Sequence, residues 1–188
     1  MCIRDRHKVG AAFVGANFGG YRDDSGYGQQ KLSLSQLADV SGWAVRSHLT
    51  ATLLNQETGG YVRGEEAYKD ADLRTSNPNP EAYRDAWSVR VNSDFSRDAW
   101  TIKPYARRSQ MQFLQHFLPG QPLEENEQSS FGVIIDHASD NGTTQLNLGG
   151  QIEFMSGHLR EFQDQATTGS AFLVTTRPAG LHYDYDVS

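Results

Sequence analysis

Cysteine is nearly absent. Cys2 is the one cysteine in 188 residues, so no disulfide can form within the chain and no cysteine-based zinc site is possible. Long apolar runs are missing too. The mean hydropathy is −0.61 and no stretch of about 18 apolar residues occurs, which excludes transmembrane helices. A membrane β-barrel escapes that test, because only every second residue of its strands meets lipid. There is no basic run. With 17 Lys and Arg against 23 Asp and Glu the formal charge is −6, and nucleic acid is not an expected partner.

Signatures of chemistry are lacking as well. The chain has no G-x-S-x-G elbow, P-loop or dinucleotide fingerprint. Its six histidines, His7, His48, His116, His137, His158 and His182, fall in no H-x-H or H-E-x-x-H spacing. Glu57, Glu65, Glu66, Asp70, Asp72, Glu124, Glu125 and Glu127 lie in segments that read as long loops. A general acid/base pair needs a rigid frame, which such loops do not offer. The expectation is therefore no catalytic residue, no metal and no cofactor, and a protein that is not an enzyme. Met1 to Arg6 has no apolar h-region and is no signal peptide. It reads as a scar of cloning, assembly or gene calling, with the fold expected over residues 7–188.

What the chain does have is alternation. Side chains of a strand point to opposite faces in turn. Leu146, Leu148, Ile152 and Phe154 share one face, and Gln145, Asn147, Gln151 and Glu153 the other. Trp87, Val89 and Val91, then Trp100 and Ile102, repeat the pattern. So do Trp43, Val45, Leu49, Ala51 and Leu53, with Arg46, His48, Thr50 and Thr52 opposite. Arg46, Arg90, Lys103 and Arg107 fall on the polar side. Strands are expected over His7–Phe18, Gln30–Leu37, Gly42–Leu54, Arg84–Asp94, Asp98–Arg108, Gln128–His137 and Thr143–Ser156, with an eighth from about His182. Glu65–Asp72 offers at most a short helical turn. The fold class is all-β, an antiparallel up-and-down meander of 7–8 strands.

The connections alternate in length. Gly19–Gln29, Asn55–Tyr83, Ser109–Glu127 and Gly157–Gly180 are long; Ala38–Ser41, Phe95–Arg97 and Ala138–Gly142 are short. Asp140-Asn141-Gly142 supplies residues that tolerate positive φ, a simpler reading of Asn141-Gly142-Thr143 than a glycosylation site. Antiparallel neighbours joined this way put the long loops at one end of the sheet and the tight turns at the other, as outer-membrane barrels do. Trp43, Trp87, Phe95 and Trp100 are expected beside the tight turns, as an interfacial girdle or as the plug of a soluble calyx.

Several segments resemble the β-barrel of TonB-dependent outer-membrane receptors. They are Gly20-Tyr21-Arg22-Asp23-Asp24-Ser25-Gly26-Tyr27 with Gln29-Gln30-Lys31-Leu32, Thr50 to Tyr61, Asn77-Pro78-Asn79-Pro80-Glu81-Ala82-Tyr83-Arg84, Phe113 to Glu124, Thr176-Arg177-Pro178-Ala179-Gly180 and His182 to Asp186. The resemblance runs from His7 onward. It implies part of a 22-stranded transmembrane β-barrel in the outer membrane of a Gram-negative bacterium, a receptor for uptake of a ferric siderophore or similar scarce nutrient. The implied partners are the lipid bilayer, the TonB complex acting through a plug domain, and a small iron chelate. The family's plug and TonB-contacting segment are not in this chain, which reads as an internal fragment holding about a third of the wall. Tyr61, Arg63, Tyr68, Arg74, His116 and Phe117 are the loop residues suited to an anionic chelate, through charge-assisted hydrogen bonds and flat contact. The competing role for each is packing of the loops.

A second class of protein stays open at this stage. A soluble lipocalin-like β-barrel binding a small apolar ligand closes with eight strands at this length. Alternation cannot separate it from a membrane wall, because turning the barrel inside out leaves the pattern unchanged.

Overall fold

The computed structural model describes residues 7–140, 142–167 and 176–188. The leader Met1 to Arg6, Asn141 of the expected turn and residues 168–175 of the last long connection lie outside them. The strands are β1 (His7–Phe18), β2 (Tyr27–Val40), β3 (Trp43–Glu57), β4 (Tyr83–Arg97), β5 (Trp100–Leu114), β6 (Leu123–Asp140), β7 (Gln145–Gln163) and β8 (Gly180–Val187). They form one sheet in sequence order, each antiparallel to its neighbours. A 3₁₀ turn at Ala67–Lys69 and a short helix α1 (Ala71–Thr75) sit in the connection between β3 and β4.

Register fixes the two faces. Directly paired residues share a side, so the ladder Ala11, Leu34, Leu49, Val91, Ala106, Phe131 and Phe154 runs across seven strands on one face. The next rung toward the tight turns carries Val133 opposite Ile152, and a further one carries Val45, Phe95, Ile102 and Ile135. All nine wall residues read from the alternation, Trp87, Val89, Val91, Trp100, Ile102, Leu146, Leu148, Ile152 and Phe154, lie on this apolar face. Arg46, Arg90, Lys103 and Arg107 lie on the other. Two hydroxyl pairs on the apolar face satisfy themselves: Ser47 Oγ meets Ser93 Oγ at 2.7 Å, and Ser129 Oγ meets Ser156 Oγ at 2.9 Å. The Arg108–Glu127 ion pair lies on the same face, toward the long loops.

The sheet has almost no core. Ala67 and Ala82 are the buried aliphatic side chains among the described residues, and both belong to a loop. The chain exposes 13250 Å². A compact monomer of this mass would expose about 9,000 Å². Phe131, Leu148, Ile152 and Phe154 are each 61% exposed. Backbone hydrogen bonds hold the strands to one another, but nothing in the described chain covers either face.

Strand ends differ from the sequence expectation in a consistent way. β5 runs on to Leu114 and β6 starts at Leu123, so the connection expected at Ser109–Glu127 shrinks to residues 115–122. The Asn55–Tyr83 connection shrinks to residues 58–82, and β7 extends to Gln163. Glu57, Glu124, Glu125 and Glu127 are thus strand residues, not loop residues. The cause is the pattern itself: toward the long loops both faces turn polar, and period two fades while the hydrogen-bonded ladder continues. β4 likewise continues through Arg97, and the turn there is Asp98-Ala99 rather than Phe95–Arg97. Ser41 and Gly42 form the β2–β3 turn with φ of 52° and 83°, the pair of positive values that a two-residue hairpin of type I′ needs.

Trp87 is the other correction. It pairs with Leu53 and Gln110, toward the long-loop end, whereas Trp43 and Trp100 flank the tight turns. Indole rings therefore mark both ends of the apolar band rather than one.

Candidate functional site

The long connections gather at one end of the sheet, and the first two are locked together at their roots. Glu57 N donates to Gly26 O at 2.9 Å, and its side chain accepts from Gly26 N at 2.9 Å. Asp23 N donates to Thr75 O at 2.9 Å, and Asn77 Nδ2 to Asp24 O at 2.8 Å. Thr58 N closes the base of residues 58–82 on Ala82 O at 2.8 Å. The Arg22 guanidinium lies against Gly59, within 2.2 Å of where a Cβ would sit, so a side chain there would push the arginine aside. Asp70 caps α1 by accepting from Asp72 N and Leu73 N at 2.9 and 3.0 Å.

The six residues chosen from sequence fall into separate places. The Arg63 guanidinium lies 5.2 Å from the Tyr61 ring centre, so these two come together, both exposed, in the first part of the 58–82 loop. Tyr68 is exposed beside Lys69, whose Nζ is 5.8 Å from its ring. Arg74 is exposed on α1. His116 and Phe117 meet edge to face at 5.7 Å in the loop between β5 and β6. Among the described residues no ring contact or ion pair joins the Tyr61–Arg63 pair to the His116–Phe117 pair.

The second pair belongs to a tighter cluster that sequence reasoning missed. The Phe117 ring lies 5.9 Å from that of Phe113, tilted by 40°, and the Arg84 guanidinium lies 4.4 Å over the Phe113 ring. Arg84 and Phe113 are register partners on the polar face of β4 and β5. The signal was present: Arg84 has the same parity as Ser88 and Arg90, so the alternation placed it on the polar side. Arg84 Nε and His116 Nδ1 are buried atoms with no hydrogen-bond partner. Glu81 sits at the edge of the cluster, accepting from Gln121 Nε2 at 2.5 Å. A hydrogen bond from its own backbone holds its carboxyl below the ordinary range. Partial burial opposes that shift, while Gln121, Asn79 and the charge of His116 reinforce it.

Beneath the neighbouring loops lies a second polar network. Arg177 Nη2 donates to Glu161 Oε1 at 2.5 Å with both side chains largely buried, and Gln115 Nε2 donates to Glu124 Oε2 at 2.7 Å. Among the described residues no group of three His, Cys, Asp or Glu is placed to hold a metal ion.

The arrangement defines a class: an open antiparallel β-meander with one largely apolar face and its long loops gathered at one end, the first two of them interlocked. It offers cationic and aromatic contacts at that cap. No protein-family model matches the chain, and no curated protein matches it.

Proposed function

We propose that this chain is wall and loops of a TonB-dependent outer-membrane receptor, contributing about a third of a 22-stranded barrel that takes up a ferric siderophore or similar scarce nutrient. The observation that carries the reading is the uncovered apolar face. Its band is bounded by Trp87 toward the long loops and by Trp43 and Trp100 at the tight turns. A surface of that extent, far above the few hundred Å² that soluble monomers tolerate, needs an apolar medium against it. Lipid supplies one. In hydrocarbon an unpaired hydroxyl costs several kcal/mol, on the order of the 2–7 kcal/mol for burying a lone polar group, and the Ser47–Ser93 pair avoids that cost.

The same reading gives the polar face to the lumen and the loops to the outside of the cell. Ligand captured at the loops and plug passes inward when energised TonB rearranges the plug, without covalent chemistry on this chain. The lipocalin-like alternative needs β1 hydrogen-bonded to β8 so that the apolar face encloses a ligand. Among the described residues β1 pairs with β2 and β8 with β7, and no ladder joins the two edges. Open edges are unsustainable in lipid unless further strands pair with them.

The test is uptake. Cells deleted for the full-length gene should lose energised accumulation of at least one radiolabelled ferric chelate and regain it on complementation. A proton uncoupler should abolish it. Unchanged accumulation of every ferric chelate, cobalamin and oligosaccharide offered, with the protein recovered in the soluble fraction, overturns the reading.

A further inference from the structure

Two arginines stand directly opposite each other on the polar face: Arg90 of β4 and Arg107 of β5 are register partners. Like charges in that relation repel, with Cβ atoms only about 5 Å apart. Arg107 is compensated, since its Nη2 reaches Glu153 Oε1 at 2.8 Å and its Nε reaches Ser130 Oγ at 2.7 Å. Arg90 makes no ion pair among the described residues, and neither does Lys31, which lines the same hollow of roughly 430 Å³. Thr50, Thr52 and Ser109 also line it, so hydroxyl donors surround the cations. The adjacent Arg108 adds nothing to this face, because alternation turns it to the other side, where it pairs with Glu127.

We propose that Lys31, Arg90 and Arg107 form an anion-binding station partway along the polar face, built for the phosphate or carboxylate oxygens of a small, free ligand. Three cations and a ring of hydroxyls with one nearby carboxylate leave a deficit of negative charge. A planar guanidinium pair presents the parallel N–H donors that oxyanions accept best. Hydroxyls then complete the remaining lone pairs, as buried oxyanions require. The proposal rests on the wall reading in one respect, that this face lines an enclosed lumen in which the attraction is less screened than in bulk water.

The experiment uses the full-length, membrane-assembled protein purified in detergent, with inorganic pyrophosphate and citrate as probes in titration calorimetry. The double variant Lys31→Gln/Arg90→Gln should bind the better probe at least tenfold more weakly than wild type. Arg97→Gln, a cation at the tight turn, should bind as wild type does. Wild-type affinity should fall as salt is raised, and the double variant should show a flatter salt dependence. Barrel assembly is read separately from heat-modifiable electrophoretic mobility. Assembled protein whose double variant binds both probes as wild type does, or whose wild type binds neither, overturns the station and leaves the wall standing. A chain that never assembles in membrane overturns both.

Discussion

Trp87 and Trp100 face the same side of the sheet from opposite ends of its apolar band. Gln110, the partner of Trp87, is ten positions along β5 from Trp100. Ten steps span about 33 Å of strand. At the roughly 40° tilt of membrane barrels this is about 25 Å of height, the thickness of an outer-membrane apolar belt. At one end Trp87 Nε1 donates to Gln110 Oε1 at 3.1 Å, and at the other Trp100 meets His137 edge to face at 4.5 Å. Each ring thus has an apolar body and a polar neighbour, as interfacial aromatics do.

That geometry predicts a depth profile. Ile152 pairs with Val133 in the middle of the band, whereas Leu148 pairs with His137 at the level of Trp100. On the proposed membrane-wall reading, Ile152→Arg is expected to cost about 2–4 kcal/mol in the protein assembled in lipid and Leu148→Arg about 0–1 kcal/mol. Gln151→Arg, on the polar face, loses one hydrogen bond to the Tyr105 hydroxyl and should cost about 1 kcal/mol. Reversible unfolding from lipid vesicles measures all three. Equal costs at residues 151 and 152 contradict the assignment of faces.

The paired hydroxyls predict non-additivity. Ser47→Ala strands the Ser93 hydroxyl on the apolar face and should cost about 1–3 kcal/mol. Ser47→Ala/Ser93→Ala removes both groups and should be less damaging than either single change. A double-mutant cycle in the same unfolding assay decides it, and strict additivity defeats the pairing argument.

For the loop site, Arg84 and Phe117 are expected to matter more than Arg74. Arg84 is fixed over Phe113, while Arg74 stands alone on an exposed helix. If the proposed uptake role holds, Phe117→Ala and Arg84→Ala should each weaken binding of a ferric chelate by about 1–3 kcal/mol, and Arg74→Ala by well under 1 kcal/mol. Arg63→Ala belongs with the larger group only if the exposed Tyr61–Arg63 pair touches ligand. Binding to the purified full-length protein across a salt series gives the ranking. An Arg74 effect larger than the Arg84 effect moves the site to the 58–82 loop.

Glu81 predicts the response to acid. Its carboxyl is held below the ordinary value of 4.5, first by a hydrogen bond from its own backbone. A depressed acid contributes stability that is present above the unfolded value and lost as pH falls through the folded one. The contact from Gln121 to Glu81 should therefore hold at neutral pH and release only below about pH 4.5. Protection of the amides at residues 115–122, measured against their intrinsic exchange rates, is expected to fall over that range, and Glu81→Gln should remove most of that fall. Release between pH 6 and 7 contradicts the sign of the shift.

Sequence by itself determined the faces. Period two is a local property of extended backbone, so the nine apolar wall residues and the four cations opposite them were readable from parity alone. The order of the strands followed too, since short turns such as Ser41-Gly42 leave an antiparallel neighbour as the one place for the next strand to go. What only the tertiary structure decided lies where that local signal stops. Strand ends above the apolar band carry polar residues on both faces, so the lengths of β5, β6 and β7 depend on a partner strand supplying hydrogen bonds. The level of Trp87 was within reach of a residue count, since it stands only four residues past Tyr83, where β4 leaves the long connection, and ten before Arg97 at the tight turn; register with β3 and β5 then sets which side chains it meets. The meeting of Arg84 with Phe113 and Phe117, and of Arg90 with Arg107, are likewise relations between strands. A single strand specifies which side a residue faces; only the pairing specifies what it faces.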